Sequence, residues 1–309
     1  MKTSLKNALL LLLTAFIWGT AFVVQKGGMN YLEPYAYNAV RNVVGGLFLL
    51  LLLPALDKFR ASRGDFEKGS RKNILVGGIL CGVVLFFASN FQQFGIALQS
   101  PETNVGKAGF ITACYCAFVP LLGLVIKKRS PWLVWAGVAV AVVGFFFLCL
   151  MDGIAAGQGL GLEKSDLLLL ACSVCFAVHI MVIDFYSPLA DGVRLSCIQF
   201  FVCGALCFVC MFIWEDPRLT DILACWRHVL YAGVMSSGVA YTLQIIAQKG
   251  VHPAVASLLL SLESVFSVLA GYVFVPGSVL SGWELLGCGF VFAAVVMVQL
   301  APQNKQKTL

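Results

Sequence analysis

Long apolar runs separated by short polar punctuation dominate this chain. Charge-free stretches of 17 residues or more recur at 7–25, 73–101, 108–126, 130–151, 167–183, 195–214, 228–248 and 285–304. Two further apolar runs are each interrupted by one charge, Arg41 in the first and Glu263 in the second. A helix rises 1.5 Å per residue, so about 20 residues cross a hydrocarbon core of roughly 30 Å. The pattern predicts ten spans near 5–25, 34–54, 74–98, 104–126, 131–151, 166–186, 194–214, 228–248, 253–275 and 282–300. They use nearly the whole chain and leave no room for a soluble domain. The expected fold class is all-α: a polytopic membrane protein of ten transmembrane helices. Residues 1–22 have the basic start and apolar run of a secretory signal, but no small-x-small cleavage site follows before Val24, so they read as an uncleaved first helix.

The chain also repeats itself. At a constant offset of 158, Trp18-Gly19 falls on Phe176-Ala177, Glu33 on Asp191, Arg41 on Gln199 and Gly46 on Gly204. Later in the halves, Gly123 falls on Gly271 at 148 and Gly137 on Gly287 at 150. A longer connector at 56–73 than at 215–227 accounts for part of the drop. Repeats at 1–151 and 152–309 each carry five spans. Five is odd, so the second repeat is expected upside down relative to the first, the arrangement that underlies alternating access.

Composition and charge sharpen the picture. The chain is 60% apolar and 12% charged, about half the charged fraction of a soluble domain. With both termini cytoplasmic, fifteen basic residues fall inside and five outside: Lys26, Lys107, Lys164, Arg218 and Arg227. That asymmetry follows the positive-inside rule. The net charge of +6 thus reflects orientation, and no nucleic acid partner is expected. The twelve cysteines lie almost entirely inside spans, including Cys172, Cys175, Cys203, Cys207 and Cys210, without the clustered ligands a metal needs. They read as small packing residues, and no metal or cofactor is expected.

Glu263 is the feature that points to function. It is the eleventh residue of the run Pro253–Val275, closed by Pro276-Gly277-Ser278, and so lies near the midplane. An acid there costs about 2.5–3.5 kcal/mol on insertion scales and should face a polar interior. It reads either as a proton carrier or cation ligand, or as a static interhelical bond to Ser261, Tyr115 or a backbone group. Arg41, about 10 Å below the outer end of its span, either holds a substrate carboxylate, pairs with Glu263, or snorkels to the headgroups. His179 either relays protons or binds substrate, or is a buried histidine bonded to Asp184 or a backbone group. Lys107 either draws anions inward or is a solvated helix end. Asn90, Gln92 and Gln93 in the third span and Tyr241, Gln244 and Gln248 in the eighth add polar groups, with Gln199 opposite Arg41 in the repeat. Trp18, Tyr115 and Phe118 supply apolar walls. Such a pocket suits small zwitterions or amphipathic metabolites. Close helix approach is expected at Gly45, Gly46, Gly137, Ala141, Gly144, Gly287 and Gly289. The fifth and tenth spans read as scaffold or a homodimer surface.

The stretches AFIWGTAFVVQK, SPETNVGKAGFITACYCAFVPLLGLVI, CFAVHIMVIDFYSP and AVASLLLSLESVFSVLAGYVF, in this order, resemble the EamA-type domain of the drug/metabolite transporter superfamily. The resemblance covers about residues 8–300 and implies ten helices in two inverted five-helix repeats, in a bacterial inner (plasma) membrane, that move small organic solutes, often outward. The chain departs from the family in having Ile126-Lys127-Lys128 and Pro276-Gly277 where Gly-Glu often stands. The function expected is a secondary transporter and exporter of amino-acid-like metabolites. No G-x-x-x-x-G-K-[ST] motif marks ATP as the driver, and the proton gradient is the natural source, with Glu263 as the coupling group. The competing reading is an intramembrane enzyme on a lipid-linked substrate. It would want two deep carboxylates, a His pair or a nucleophile with its base, whereas Glu263 is the one acid read deep in the membrane. A non-transporting sensor is a third.

Overall fold

The computed structural model describes residues 5–62, 69–99, 105–128, 130–155, 157, 163–275 and 281–300. Among them ten long helices follow in order: α1 Leu5–Gly28, α2 Pro34–Ser62, α3 Arg71–Leu98, α4 Val105–Val125, α5 Trp132–Cys149, α6 Lys164–Tyr186, α7 Gly192–Trp214, α8 Trp226–Gln248, α9 Pro253–Phe274 and α10 Gly282–Gln299. Eight are long and apolar enough to cross a bilayer, while α5 and α10 are apolar but shorter, at 18 residues each. Side chains such as Leu51, Phe212 and Val273 stand exposed on the outside, where lipid would cover them. We call the end where α1 begins the near face and the end where it stops the far face.

Local chemistry explains where several helices start. Pro253 opens α9, where its missing N–H costs nothing, and the His252 ring accepts from Ala254 N at 3.3 Å. Ser281 with Glu284 caps α10, and Glu163 with Asp166 caps α6, each by reciprocal side-chain bonds to orphan amides. Gly250, at φ +79°, turns the chain between α8 and α9. The turn expected at Pro276-Gly277-Ser278 lies outside the described residues, as do Lys2, Arg63, Lys68, Arg129, Lys305 and Lys307.

The packing is reciprocal, as an inverted two-fold demands. α2 lies on α7 and α5 on α10, while α3 packs on α6 and α7 just as α8 packs on α1 and α2. A β-carbon on Gly46 would touch the Phe201 ring at 3.1 Å, and one on Gly204 would touch Val43 at 3.1 Å. Both partners are equivalents at the same 158-residue offset. Likewise, a β-carbon on Gly82 would lie 2.8 Å from the Gln199 carbonyl oxygen, and one on Gly233 would lie 2.9 Å from that of Arg41. Glycine is needed at these crossings because the facing backbone occupies the side-chain volume.

Three helices differ from the sequence reading. α4 and α9 are each two segments, Val105–Ala113 with Tyr115–Val125 and Pro253–Leu260 with Glu263–Phe274. At both joints the backbone tightens into i→i+3 bonds, Cys114 N to Ile111 O at 3.3 Å and Leu262 N to Leu259 O at 3.4 Å. Glu263 is therefore the first residue of a half-helix, not the middle of a continuous one. α8 departs in the opposite sense, widening into a π-helical stretch over Tyr231–Tyr241.

Candidate functional site

The joints of α4 and α9 meet at the centre of the bundle. Tyr115 and Glu263, each the first residue after its joint, are equivalent at the 148-residue offset and face each other across the site. Glu263 is 3% exposed, and its Oε1 has no hydrogen-bond partner. The Tyr115 hydroxyl stands beside the carboxylate but makes no bond of standard geometry. Ser261 does not serve the acid, because its hydroxyl donates to Leu258 O at 2.8 Å.

A cavity opens beside this pair, lined by Trp18, Phe22, Gln25, Arg41, Gln92, Thr112, Tyr115, Phe176, Ser236, Tyr241 and Glu263. Its room is about 20 Å³, enough for about one water, so an organic solute fits only as the walls move apart. Trp18 and its equivalent Phe176 form two of the walls. The Trp18 ring lies 4.6 Å from that of Tyr241. Its Nε1–H donates to Ser236 O at 3.4 Å, and the Thr14 hydroxyl is shared between Leu10 O at 3.0 Å and Ala240 O at 3.3 Å. Ser236 and Ala240 both belong to the π-helical stretch. Gly19 brings α1 against α9, since a β-carbon there would stand 2.8 Å from Glu263 O.

Arg41 enters the same cavity from α2. It is 3% exposed, with its guanidinium 5.9 Å from the Tyr37 ring centroid and its Nε unpartnered. The snorkelling alternative does not describe it. Nor does the ion-pair alternative, for no Arg41–Glu263 contact falls within 4.0 Å among the described ion pairs. One cavity thus holds a buried cation and a buried acid at separate points. This charge pattern fits a solute that carries both signs.

The remaining candidates stand around the cavity rather than on it. Asn90 accepts from Asn38 at 2.9 Å and donates to Phe86 O and Cys207. Gln93 donates to Gln25 O at 3.4 Å. The His179 partner is Gln199, with Nε2 3.1 Å from Oε1, and not Asp184, which pairs with Lys128. Lys107 is no free helix-end charge, since it sits 2.9 Å from Asp166. Gln244 donates to Gln248 at 3.4 Å. Phe118 does not line the cavity, and neither α5 nor α10 contributes to it. Phe22, Gln25, Thr112, Phe176 and Ser236 line it without having been singled out as walls. The polar Gln25 and Thr112 within spans were the available signals. The described cysteines are free thiols, and no group of His, Cys, Asp and Glu among the described residues could hold a metal.

Comparison with known proteins extends these observations. The chain is 29% identical to an uncharacterized transporter of Archaeoglobus fulgidus, over 94% of this chain and 84% of that one. It is 26% identical to the uncharacterized inner membrane transporter YedA of Escherichia coli, over 92% and 87%. It is 25% identical to an S-adenosylmethionine/S-adenosylhomocysteine transporter of Chlamydia trachomatis, over 94% and 86%. A solved crystal structure shares the fold at a TM-score of 0.70 and 18% identity, covering 97% of this chain and 99% of that one. The model of the EamA-like transporter family matches residues 5–150 and again 163–300. The chain is a membrane transporter that belongs to the EamA-like transporter family.

Proposed function

We propose that the protein is a secondary transporter that exports small amino-acid-like metabolites by alternating access, with Glu263 coupling solute movement to protons. One observation carries the reading: the guanidinium of Arg41 and the carboxyl group of Glu263 are both buried in one aromatic-walled cavity and not paired with each other. Arg41 offers a fork of donors to a carboxylate, Glu263 accepts an ammonium, and Trp18, Phe176, Tyr115 and Tyr241 enclose an apolar body. Glu263 can hold a proton or the solute's ammonium but not both, so one exchanges for the other.

The basic residues crowd the near face, which supports assigning it to the cytoplasm with both termini, in a bacterial inner membrane. By helix position, Gln25, Arg41, Gln92 and Thr112 lie on the far half, so the cavity reaches toward the outside. Exchange of the two repeats, 1–151 and 152–309, then turns the opening inward. Outward transport is what the family resemblance implies. S-adenosylmethionine, handled by the chlamydial relative, carries an amino-acid head and belongs among the test solutes.

The test is exchange of tritiated phenylalanine, leucine and S-adenosylmethionine in proteoliposomes. Glu263→Gln is expected to abolish exchange, or to leave it without pH dependence, while the protein folds in normal yield. Unchanged flux with unchanged pH dependence refutes the coupling role. Arg41→Gln should weaken carboxylate-bearing tracers by about tenfold and spare the corresponding amines. If no tracer crosses faster than through protein-free vesicles, the reading itself fails.

A further inference from the structure

The inverted repeat places an equivalent of every cavity residue on the other half of the bundle. Arg41 and Asn38 of α2 map onto Gln199 and Ser196 of α7, and the reciprocal Gly46–Phe201 and Gly204–Val43 contacts obey the same operator. Antiparallel packing at those contacts sets Arg41 and Gln199 about seven residues, roughly 10.5 Å, apart along the pair. Arg41 lies toward the far face and Gln199 toward the near face. On the far half the position is a buried cation that lines the cavity. On the near half it is a neutral amide in a closed cluster.

That cluster is fully buried. The His179 ring meets Gln199 Oε1 through Nε2 at 3.1 Å, and Gln199 Nε2 donates to the Ser196 hydroxyl at 3.3 Å. The Thr242 hydroxyl donates to Ser196 Oγ at 2.9 Å. Gln199 Nε2 is the donor to Ser196, so its Oε1 accepts from His179 Nε2–H, which makes His179 Nδ1 a bare acceptor. Nδ1 has no partner, and neither does Gln244 Oε1. His179 is 0% exposed and Gln244 1%. Gln244 lies on the face of α8 turned to α6, because its partner Gln248 donates to Ile180 O at 2.8 Å. Two buried acceptors without donors are costly unless a ligand meets them in some state of the protein. The Tyr241 ring, which lines the cavity, lies 4.6 Å from that of Trp18 and 5.9 Å from that of His179.

We propose that the near half holds a second, uncharged solute subsite, reached past Tyr241, in which His179 Nδ1 and Gln244 Oε1 accept hydrogen bonds from the amino group of the solute. The inference rests on the carrier reading and adds a division of labour to it. From the far face the solute is held by Arg41 at its carboxylate and Glu263 at its ammonium, whereas from the near face its N–H donors are gripped with no cation at the equivalent position. The carrier therefore binds an amino acid more weakly from the near face than from the far face.

The experiment uses the whole protein in proteoliposomes of known orientation, with tritiated phenylalanine and tritiated S-adenosylmethionine as probes and half-saturation measured from each face. Gln244→Leu and His179→Phe are each expected to raise near-face half-saturation about tenfold, the loss of one hydrogen bond to a charged group, and to leave the far-face value within twofold. Gln244→Glu keeps an acceptor and should bind at least as well as the wild type from the near face. Unlabelled 3-phenylpropionate, which lacks the amino group, should compete with the same potency against wild type and Gln244→Leu. Equal shifts at both faces, no shift at either, or a Gln244→Glu protein as weak as Gln244→Leu overturn the subsite while leaving the carrier intact. If neither probe moves through the wild type, the carrier reading and the subsite fall together.

Discussion

At the far end of the α2–α7 pair, the Glu215 carboxylate accepts from the first backbone amides of α2, Tyr35 N at 2.8 Å and Ala36 N at 2.7 Å. At the near end, Asp57, the equivalent of Glu215 at the 158-residue offset, reaches the start of α7 through Arg194 at 2.6 Å. Arg194 also meets Asp191 at 2.8 Å, and Asp191 takes Arg60 as well. Asp191 further caps α7 by accepting from Val193 N at 2.9 Å and Arg194 N at 3.1 Å. The plan is shared: an acid at the end of one helix clasps the start of its antiparallel partner. The chemistry is not, because two amides close one end and a four-residue charge network closes the other. The difference teaches that an inverted repeat can keep one plan of helix contacts while its two ends are held by different chemistry.

The two clasps also titrate in opposite directions. Burial alone would raise the Asp191 pKa, but the Arg194 amide and the Arg60 and Arg194 guanidinia together pull it below the usual carboxylate range. Burial lifts that of Glu215, and the two amides it accepts do not fully offset the shift. Acid should thus loosen the near clasp and not the far one.

The largest effect is expected at Asp191, whose side chain is 0% exposed. Asp191→Ala removes the acceptor of two amides and two guanidinia and should cost about 2–3 kcal/mol, less than a fully buried pair because both arginines reach solvent. Thermal melting in detergent measures it, and a loss no larger than that of Glu215→Gln would reverse the ranking of the clasps. The second effect is its pH dependence. Asp191's contribution is complete above its unfolded pKa of about 3.9 and is lost as pH falls through the depressed folded value. The gap in melting temperature between wild type and Asp191→Asn should therefore close below about pH 4. Glu215 runs the other way, contributing fully below about 4.3 and less as pH rises through its lifted value. The gap between wild type and Glu215→Gln should widen on acidification, and a gap that closes would contradict the assignment. The smallest effect belongs to Asp57→Asn. That carboxylate is 45% exposed, and the loss should stay within about 1 kcal/mol.

Much of this architecture was legible in the residues, because ten apolar runs leave few alternatives and the 158-residue offset aligns Arg41 with Gln199 and Gly46 with Gly204. The joints in α4 and α9 were not legible. Cys114, Ser261 and Leu262 are neither glycine nor proline, so nothing local announces the tightened turns. The cavity was half legible. Trp18, Arg41, Tyr115, Tyr241 and Glu263 line it, while Asn90, Gln93, His179, Gln199 and Gln244 turn to other partners. Helices that are apolar on every side give no preferred face, so a polar residue in a span shows that it points inward but not at what. The near clasp escaped notice because Arg60 sits in a basic run that also satisfies membrane orientation.

The wide turns of α8 have no echo in α3, which is regular throughout Arg71–Leu98. A register wound differently in one copy cannot be superposed on the other by any rotation. On the alternating-access reading proposed above, the mouth that opens when the repeats trade places must therefore differ in shape from the one it replaces. Whatever molecule passes through meets two unlike doorways, and the asymmetry is written into the peptide backbone before any side chain is considered.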